Sequence, residues 1–287
     1  MTCSCLPNAW IALCLSALVA CDAGEEPQPA YLSVNPIQFA VRPHEGSASQ
    51  NLPDAWIYVG NKYVGAYELP VRIPVLASDV EEVLILPGYR LNGSISSPAR
   101  AALLEPFRMD VPFIPGQEVS VTPSCSYQAS LQFPFLEAFE GNHFFNEDRD
   151  GDPETRILGT LPEEAFEGVR SGKIELRKEH PKLRVVYDIA KEIPQSPDPI
   201  LLELHFKSDI PFSIGFIGNK GPAGEDDLIR AVLLPKKNWT KVYFDFREII
   251  NLSNALSYRM AIDANFQQDS MIAVQRIYLD NIKVVHR

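Results

Sequence analysis

Positive charge is scarce in this chain of 287 residues, where 26 lysines and arginines stand against 37 acidic residues for a formal charge of −11. No basic run relieves that excess. This argues against nucleic acid as a partner and against a polybasic membrane patch, because both depend on a positive field. A bilayer-spanning run is missing too: the apolar stretch Ala9 to Ala20 has twelve residues, short of the ~20 that a crossing helix needs. The five histidines (His44, His143, His180, His205 and His286) lack the close spacing of a metalloprotease site. There is no G-x-S-x-G elbow for a serine nucleophile, and Gly218 to Gly224 lacks the Gly-Lys-Ser/Thr ending of a phosphate loop. Carboxylates abound, but no spacing singles out a pair, so the chain is not expected to be an enzyme. Cysteine is nearly absent from the body. Cys3, Cys5 and Cys14 lie before Ala20, and beyond Cys21 only Cys125 remains, so no disulfide can form within it. A lone thiol in Pro-Ser-Cys-Ser-Tyr reads as inert.

What is present is the composition of a folded protein, 46% hydrophobic and 22% charged, long enough for two ordinary domains. Short runs rich in β-branched and aromatic residues follow one another, separated by turn residues such as Gly60-Asn61, Pro87-Gly88 and Asn92-Gly93. Gly60-Asn61 between Ile57-Tyr58-Val59 and Lys62-Tyr63-Val64 predicts a two-residue hairpin, since both residues tolerate positive φ. The runs divide into a small β-sandwich over residues 31–123 and a second domain over 130–287, with Pro123 to about Leu131 as the joint. Eight longer strand-like runs from Gly172 onward, with no long amphipathic helix, predict a jelly roll for the second domain. The fold class is all-β, two sandwiches in series.

The start of the chain carries the strongest local pattern. Ala9 to Ala20 has the length of a signal-peptide core, and Leu18-Val19-Ala20-Cys21 resembles the lipobox of bacterial lipoproteins. The segment before it, Met1 to Asn8, departs from that pattern by containing no lysine or arginine. The resemblance implies cleavage after residue 20, lipid on Cys21, and attachment to a membrane of the bacterial cell envelope, the outer membrane being the expected one. Residues 21–30, acidic and proline-bearing, then read as a tether.

Asp54 to Gly93 resembles the small PEGA-like β-modules of bacterial surface lipoproteins, which present or space other domains. The second domain resembles the galactose-binding-like jelly rolls of carbohydrate-binding modules. That likeness rests on Phe166 to Lys173, on Trp239-Thr240-Lys241-Val242-Tyr243-Phe244-Asp245-Phe246, and on Ile277-Tyr278-Leu279-Asp280-Asn281-Ile282-Lys283-Val284. It implies non-catalytic binding, a glycan first of all; the alternative is a structural role docking an envelope protein. An exposed aromatic pair over a sheet face would favour the glycan, and a flat apolar patch would favour the protein partner. By frequency Trp56, Trp239, Phe144-Phe145 and Tyr243-Phe244 read as core residues.

Calcium is the one cofactor the sequence suggests. Asn146, Asp148 and Asp150, followed by Gly151, place oxygens at alternate positions as a calcium loop does. Ile157 stands where the bidentate glutamate of an EF-hand belongs, which leaves at most a half-loop. The jelly-roll resemblance implies a second arrangement, a structural calcium between Glu137 or Glu140 and Asp280.

Overall fold

The computed structural model describes residues 27–77, 79–92, 96–268 and 270–287. The signal segment 1–20, Cys21 and most of the tether lie outside the described residues.

Ten strands build the N-terminal half: β1 (Ala30–Val34), β2 (Gln38–Ala40), β3 (Asp54–Val59), β4 (Lys62–Glu68), β5 (Val71–Val75), β6 (Val80–Arg90), β7 (Pro98–Arg100), β8 (Phe107–Pro112), β9 (Glu118–Val121) and β10 (Ser124–Ser126). The sheet β5-β1-β9 packs on the sheet β4-β3-β6-β7, whose strand β6 also pairs with β8. Alternation decides the packing. Leu32 and Val34 of β1, Ile57 and Val59 of β3, Ile73 of β5 and Val83 and Ile85 of β6 point inward to one apolar core. At the tip of β3–β4, Gly60 and Asn61 have φ of 54° and 63°, and Val59 pairs with Lys62. This is the predicted hairpin, with both central residues in the left-handed region that the strand twist demands.

The C-terminal half holds β11 (Gln132–Glu137), β12 (Phe145–Asp148), β13 (Leu158–Gly159), β14 (Gly172–Leu176), β15 (Lys182–Tyr187), β16 (Leu201–Ser208), β17 (Phe212–Asn219), β18 (Glu225–Leu233), β19 (Lys236–Asp245), α1 (Arg247–Ser253), β20 (Ser257–Asn265) and β21 (Gln275–His286). Two sheets face each other, β13-β14-β21-β16-β19 with β11 also on β21, and β12-β15-β20-β17-β18. The chain crosses repeatedly between them, and one core fills the space with Leu202, Leu204, Phe206, Ile214, Phe216, Ile262 and Leu279 among its members. The eight runs read as strands are β14 to β21. In β17, Gly215 is required: a Cβ there would lie 2.5 Å from the Leu228 carbonyl oxygen and 2.6 Å from the Ile229 Cα, where β18 shifts register against it.

Strand β21 is shared along one edge, pairing first with β14 and then with β11. The handover falls at a bulge. Glu203 pairs with Lys283 and His205 with Asp280, so β21 carries one extra residue, and Asn281 takes it up at φ 49°. Asparagine tolerates that conformation better than most residues.

The two halves meet over the outer face of the β21-β16-β19 sheet. Leu201, Tyr243 and Val285 project from it into a second apolar cluster with Tyr89, Leu103 and Tyr127. Leu91 forms a parallel bridge to Tyr243. The stretch read as a joint is therefore packed: β10 pairs with β2, and Tyr127 is 1% exposed.

Candidate functional site

Period-two alternation sends Glu203, His205 and Lys207 of β16 to the outer face, together with Trp239, Lys241 and Tyr243 of β19 and Arg276 and Tyr278 of β21. The N-terminal half covers one part of this face and leaves the other open.

The covered part holds a buried ionic group. Glu203, Lys241 and Lys283 are all less than 8% exposed. Tyr127 Oη donates to Glu203 Oε1 at 2.9 Å, and Gln50 Nε2 donates to Oε2 at 3.2 Å. Lys241 Nζ stands 3.1 Å from Glu203 Oε2, an ion-pair distance without the alignment of a hydrogen bond. Lys283 Nζ donates to the carbonyls of Glu45 (2.7 Å) and Ser47 (3.1 Å). Burial alone would push the Glu203 carboxyl up, but the two ammonium groups bring it below the usual carboxylate range. Burial lowers Lys283 to about 8, with Glu203 opposing. It lowers His205 to about 2, helped by Lys241 and Lys283, so this ring stays neutral. Its Nε2 lies 3.0 Å from Ser49 Oγ.

The open part is aromatic and cationic. Phe166, from the loop before β14, stacks on His205 with centroids 4.1 Å apart and stands 5.3 Å from Trp239. Trp239 and Tyr278 are 6.3 Å apart, and Lys207 Nζ sits 5.1 Å and 4.3 Å from their respective ring centroids. Lys173 and Lys207 both pair with Tyr278 in register, so one row runs Lys173, Tyr278, Lys207, Trp239 across four strands. Glu164 closes its end, accepting from Tyr278 Oη at 3.0 Å and from Lys173 Nζ at 3.3 Å. Partial burial would raise the Glu164 carboxyl; the Tyr278 and Lys173 hydrogen bonds bring it below its ordinary value instead. Burial and that same bond push the Tyr278 hydroxyl up to about 12. The three rings are half-buried. What they leave exposed, with donors alongside, can pack on a sugar ring and hydrogen-bond its hydroxyls.

The outer face of the opposite sheet is different in kind. Arg259 bridges Glu147 and Glu225, Arg149 bridges the same two, and Arg184 pairs with Asp227 and Asp263. This lattice covers a small apolar floor of Val186, Ile217 and Ala261. Among the described residues no aromatic side chain occupies its outward positions.

The residues assigned to calcium fall into two places: Asn146, Asp148 and Asp150 at one sheet, and Asp280 on the other, where Glu140 is close enough to act on its charge and Glu137 pairs with Ile282 of the same strand. Asn146 and Asp148 lie in strand β12 rather than a loop, paired to β15. Asn146 Nδ2 donates to the His143 carbonyl and to Asp188. Asp148 Oδ1 accepts the amides of Asp150 and Gly151, and Asp150 accepts those of Asp152 and Arg184. Asp280, on the other sheet, accepts Ser171 Oγ at 2.6 Å and the Asn281 amide at 2.7 Å; burial pushes it up to about 6. Glu137 accepts the amides of Phe139 and Phe144, and Glu140 that of Val169. Each of these acids accepts hydrogen bonds from the protein itself, whereas calcium asks for 6–8 converging oxygens. Among the described residues no group of three or more His, Cys, Asp or Glu could hold a metal ion. Cys125 is buried, and its thiol is pushed up to about 12 by that burial, the opposite of nucleophile activation.

Trp239 is half-buried on the outer face and belongs to no core cluster, where frequency had placed it in the core. The signal was in the register. Val242 and Phe244 point inward, so Trp239 and Tyr243 fall on the other side of β19.

No family model and no curated protein matches this chain. Solved structures similar to it are carbohydrate-binding modules. One is the C-terminal family 22 module of Clostridium thermocellum Xyn10B, with 13% identity over 53% of this chain and 92% of that one, at a TM-score of 0.36. Another is the family 11 module from Clostridium thermocellum in complex with a β-1,3-1,4-mixed-linked tetrasaccharide, with 10% identity, 54% and 94% coverage and a TM-score of 0.37. A family 30 module gives 13% identity, 45% and 82% coverage and a TM-score of 0.35. Likenesses this distant leave what the chain binds to its own residues.

Proposed function

We propose that this protein is a non-catalytic glycan-binding lipoprotein, held at the outer membrane of a bacterial envelope through lipid on Cys21. The observation that carries the binding role is the row Lys173–Tyr278–Lys207–Trp239, two half-exposed rings interleaved with cations on an open sheet face. A glycosidase needs one carboxyl kept protonated beside another kept ionised. The carboxyl on this row, Glu164, is instead held in its ionised form by Lys173 and Tyr278. The anchor rests on the lipobox-like Leu18 to Cys21 after a twelve-residue apolar run.

The test is affinity measurement against a panel of soluble polysaccharides with Trp239→Ala and Tyr278→Ala. Loss of an aromatic anchor costs about 2 kcal/mol or more, about thirtyfold in Kd. Both variants should keep the parent's melting temperature within a few degrees. Binding unaffected by both, or no binding of any polysaccharide by the parent, would sink this reading.

A further inference from the structure

Beside the aromatic row lies a groove of about 210 Å³ walled by Lys207, Ser208, Asp209, Lys236, Lys237, Arg276 and Tyr278. Its cations come from three strands that are distant in sequence. The register of β16 against β19 shifts between Phe206 and Ser208, so that Ser208 faces Lys236, and this brings the start of β19 alongside Lys207. Four cationic side chains thus meet a single carboxylate in the wall, within a chain of net charge −11. Arg276 is neutralised by Glu175, with Nε 3.0 Å from Oε1. Asp209 is engaged by the Arg276 amide at 2.9 Å. Among the described residues the half-buried Lys207 and the exposed Lys236 and Lys237 have no ion-pair partner within 4 Å, whereas the half-buried Lys173, Arg184, Lys220 and Arg259 each have one.

Three lysines facing one carboxylate, Asp209, leave an excess of positive charge in the groove, and an anion seated among them would offset it while accepting their hydrogen bonds. We infer that this groove receives the acidic group of an anionic glycan, a uronate carboxylate or a sugar sulfate, while the neighbouring sugar ring stacks on Trp239 and Tyr278. This inference rests on the glycan-binding reading and narrows its ligand class.

The experiment is calorimetry on the purified protein at 50 mM and 300 mM NaCl, with oligosaccharides of matched length. One arm is an oligogalacturonate, one a sulfated galacto-oligosaccharide, one a neutral galacto-oligosaccharide and one oligothymidylate. At low salt one or both acidic sugars should bind about tenfold tighter than the neutral one, which is about 1.4 kcal/mol, and the margin should shrink at high salt. The arm that binds tells carboxylate from sulfate. The pair Lys236→Gln and Lys237→Gln, both exposed positions, should erase the margin and leave neutral-sugar binding and the melt unchanged. Trp239→Ala should weaken all sugars together. Equal affinity for neutral and acidic sugars would overturn the inference and leave glycan binding standing, whereas no binding of any sugar would remove both. Oligothymidylate bound as tightly as the acidic sugars would also overturn it, since the groove would then be reading negative charge on a nucleic acid strand.

Discussion

Glu203→Gln changes one atom in the group that joins the two halves, and its consequence follows from geometry. The amide keeps an acceptor for Tyr127 Oη, so the substitution removes charge with little change of shape. Lys241 and Lys283 are then left with no carboxylate among the groups that contact them. Breaking a buried pair from one side costs about 3 to 5 kcal/mol. In a body of this size each kcal/mol moves Tm by about 2–4 °C, so the variant should melt on the order of 10 °C lower at pH 7. The pH profile separates this cause from general damage. Lys283 sits at about 8 in the fold against an ordinary 10.5. The unfolded chain therefore binds more protons between those values, and stability rises with pH across that window. Without Glu203 the folded value falls further, and the recovery begins below pH 8. The Glu203 contribution runs the other way: its carboxyl is lowered in the fold, so that stabilisation is present above about pH 4.3 and is lost as pH falls through the folded value. Thermal melts and urea titrations from pH 6 to 10 would show the deficit of the variant narrowing as pH rises. A deficit below about 1 kcal/mol that stays flat with pH would refute the reasoning, since the ammonium groups would then be solvated.

Three further outcomes are expected. Cys21→Ser should abolish metabolic palmitate labelling; labelling that persists in the variant would end the lipoprotein assignment. Chelation with EGTA should leave the melt unchanged, because the oxygens of Asp148, Asp150 and Asp280 already accept hydrogen bonds from the protein; a fall of several degrees would show a cation that these bonds conceal. A fragment beginning at Ser130 should be markedly less stable than the whole chain by urea titration. It bares Leu201, Tyr243 and Val285 and takes Tyr127 from Glu203. An unchanged midpoint for the C-terminal transition would show the interface to be dispensable.

Much of the fold was legible because the buried strands alternate cleanly. The runs that became β14 to β21 carry apolar residues at every second position facing one core, with one break each in β18 and β21 where the register shifts. The strands that escaped reading have weak alternation. Strand β8 buries only Val111 of its six residues, and β12 is the acidic Phe-Asn-Glu-Asp that reads equally well as a calcium loop. The site was legible by halves. Register puts Trp239 and Tyr243 on one face of β19, yet Tyr243 is 2% exposed and Trp239 is half-buried and open. The difference is where the N-terminal half docks, a long-range fact that no local period encodes. The cationic groove escaped for a related reason: its lysines and arginine come from three strands, so no basic run marks it.

The placing of β1 has a mechanical consequence. It is the middle strand of its sheet, hydrogen-bonded along its length to β5 on one side and to β9 on the other. Those bonds lie across the strand, so tension entering from the residues before Ala30 loads both ladders in shear. Many bonds then share the force at once, instead of parting one after another as a peeled edge strand would. At the other end of the chain, β21 sits between β16 and the pair β11 and β14 and is gripped in the same way. A body built like this resists unravelling from β1 when it is pulled by the residues before Ala30.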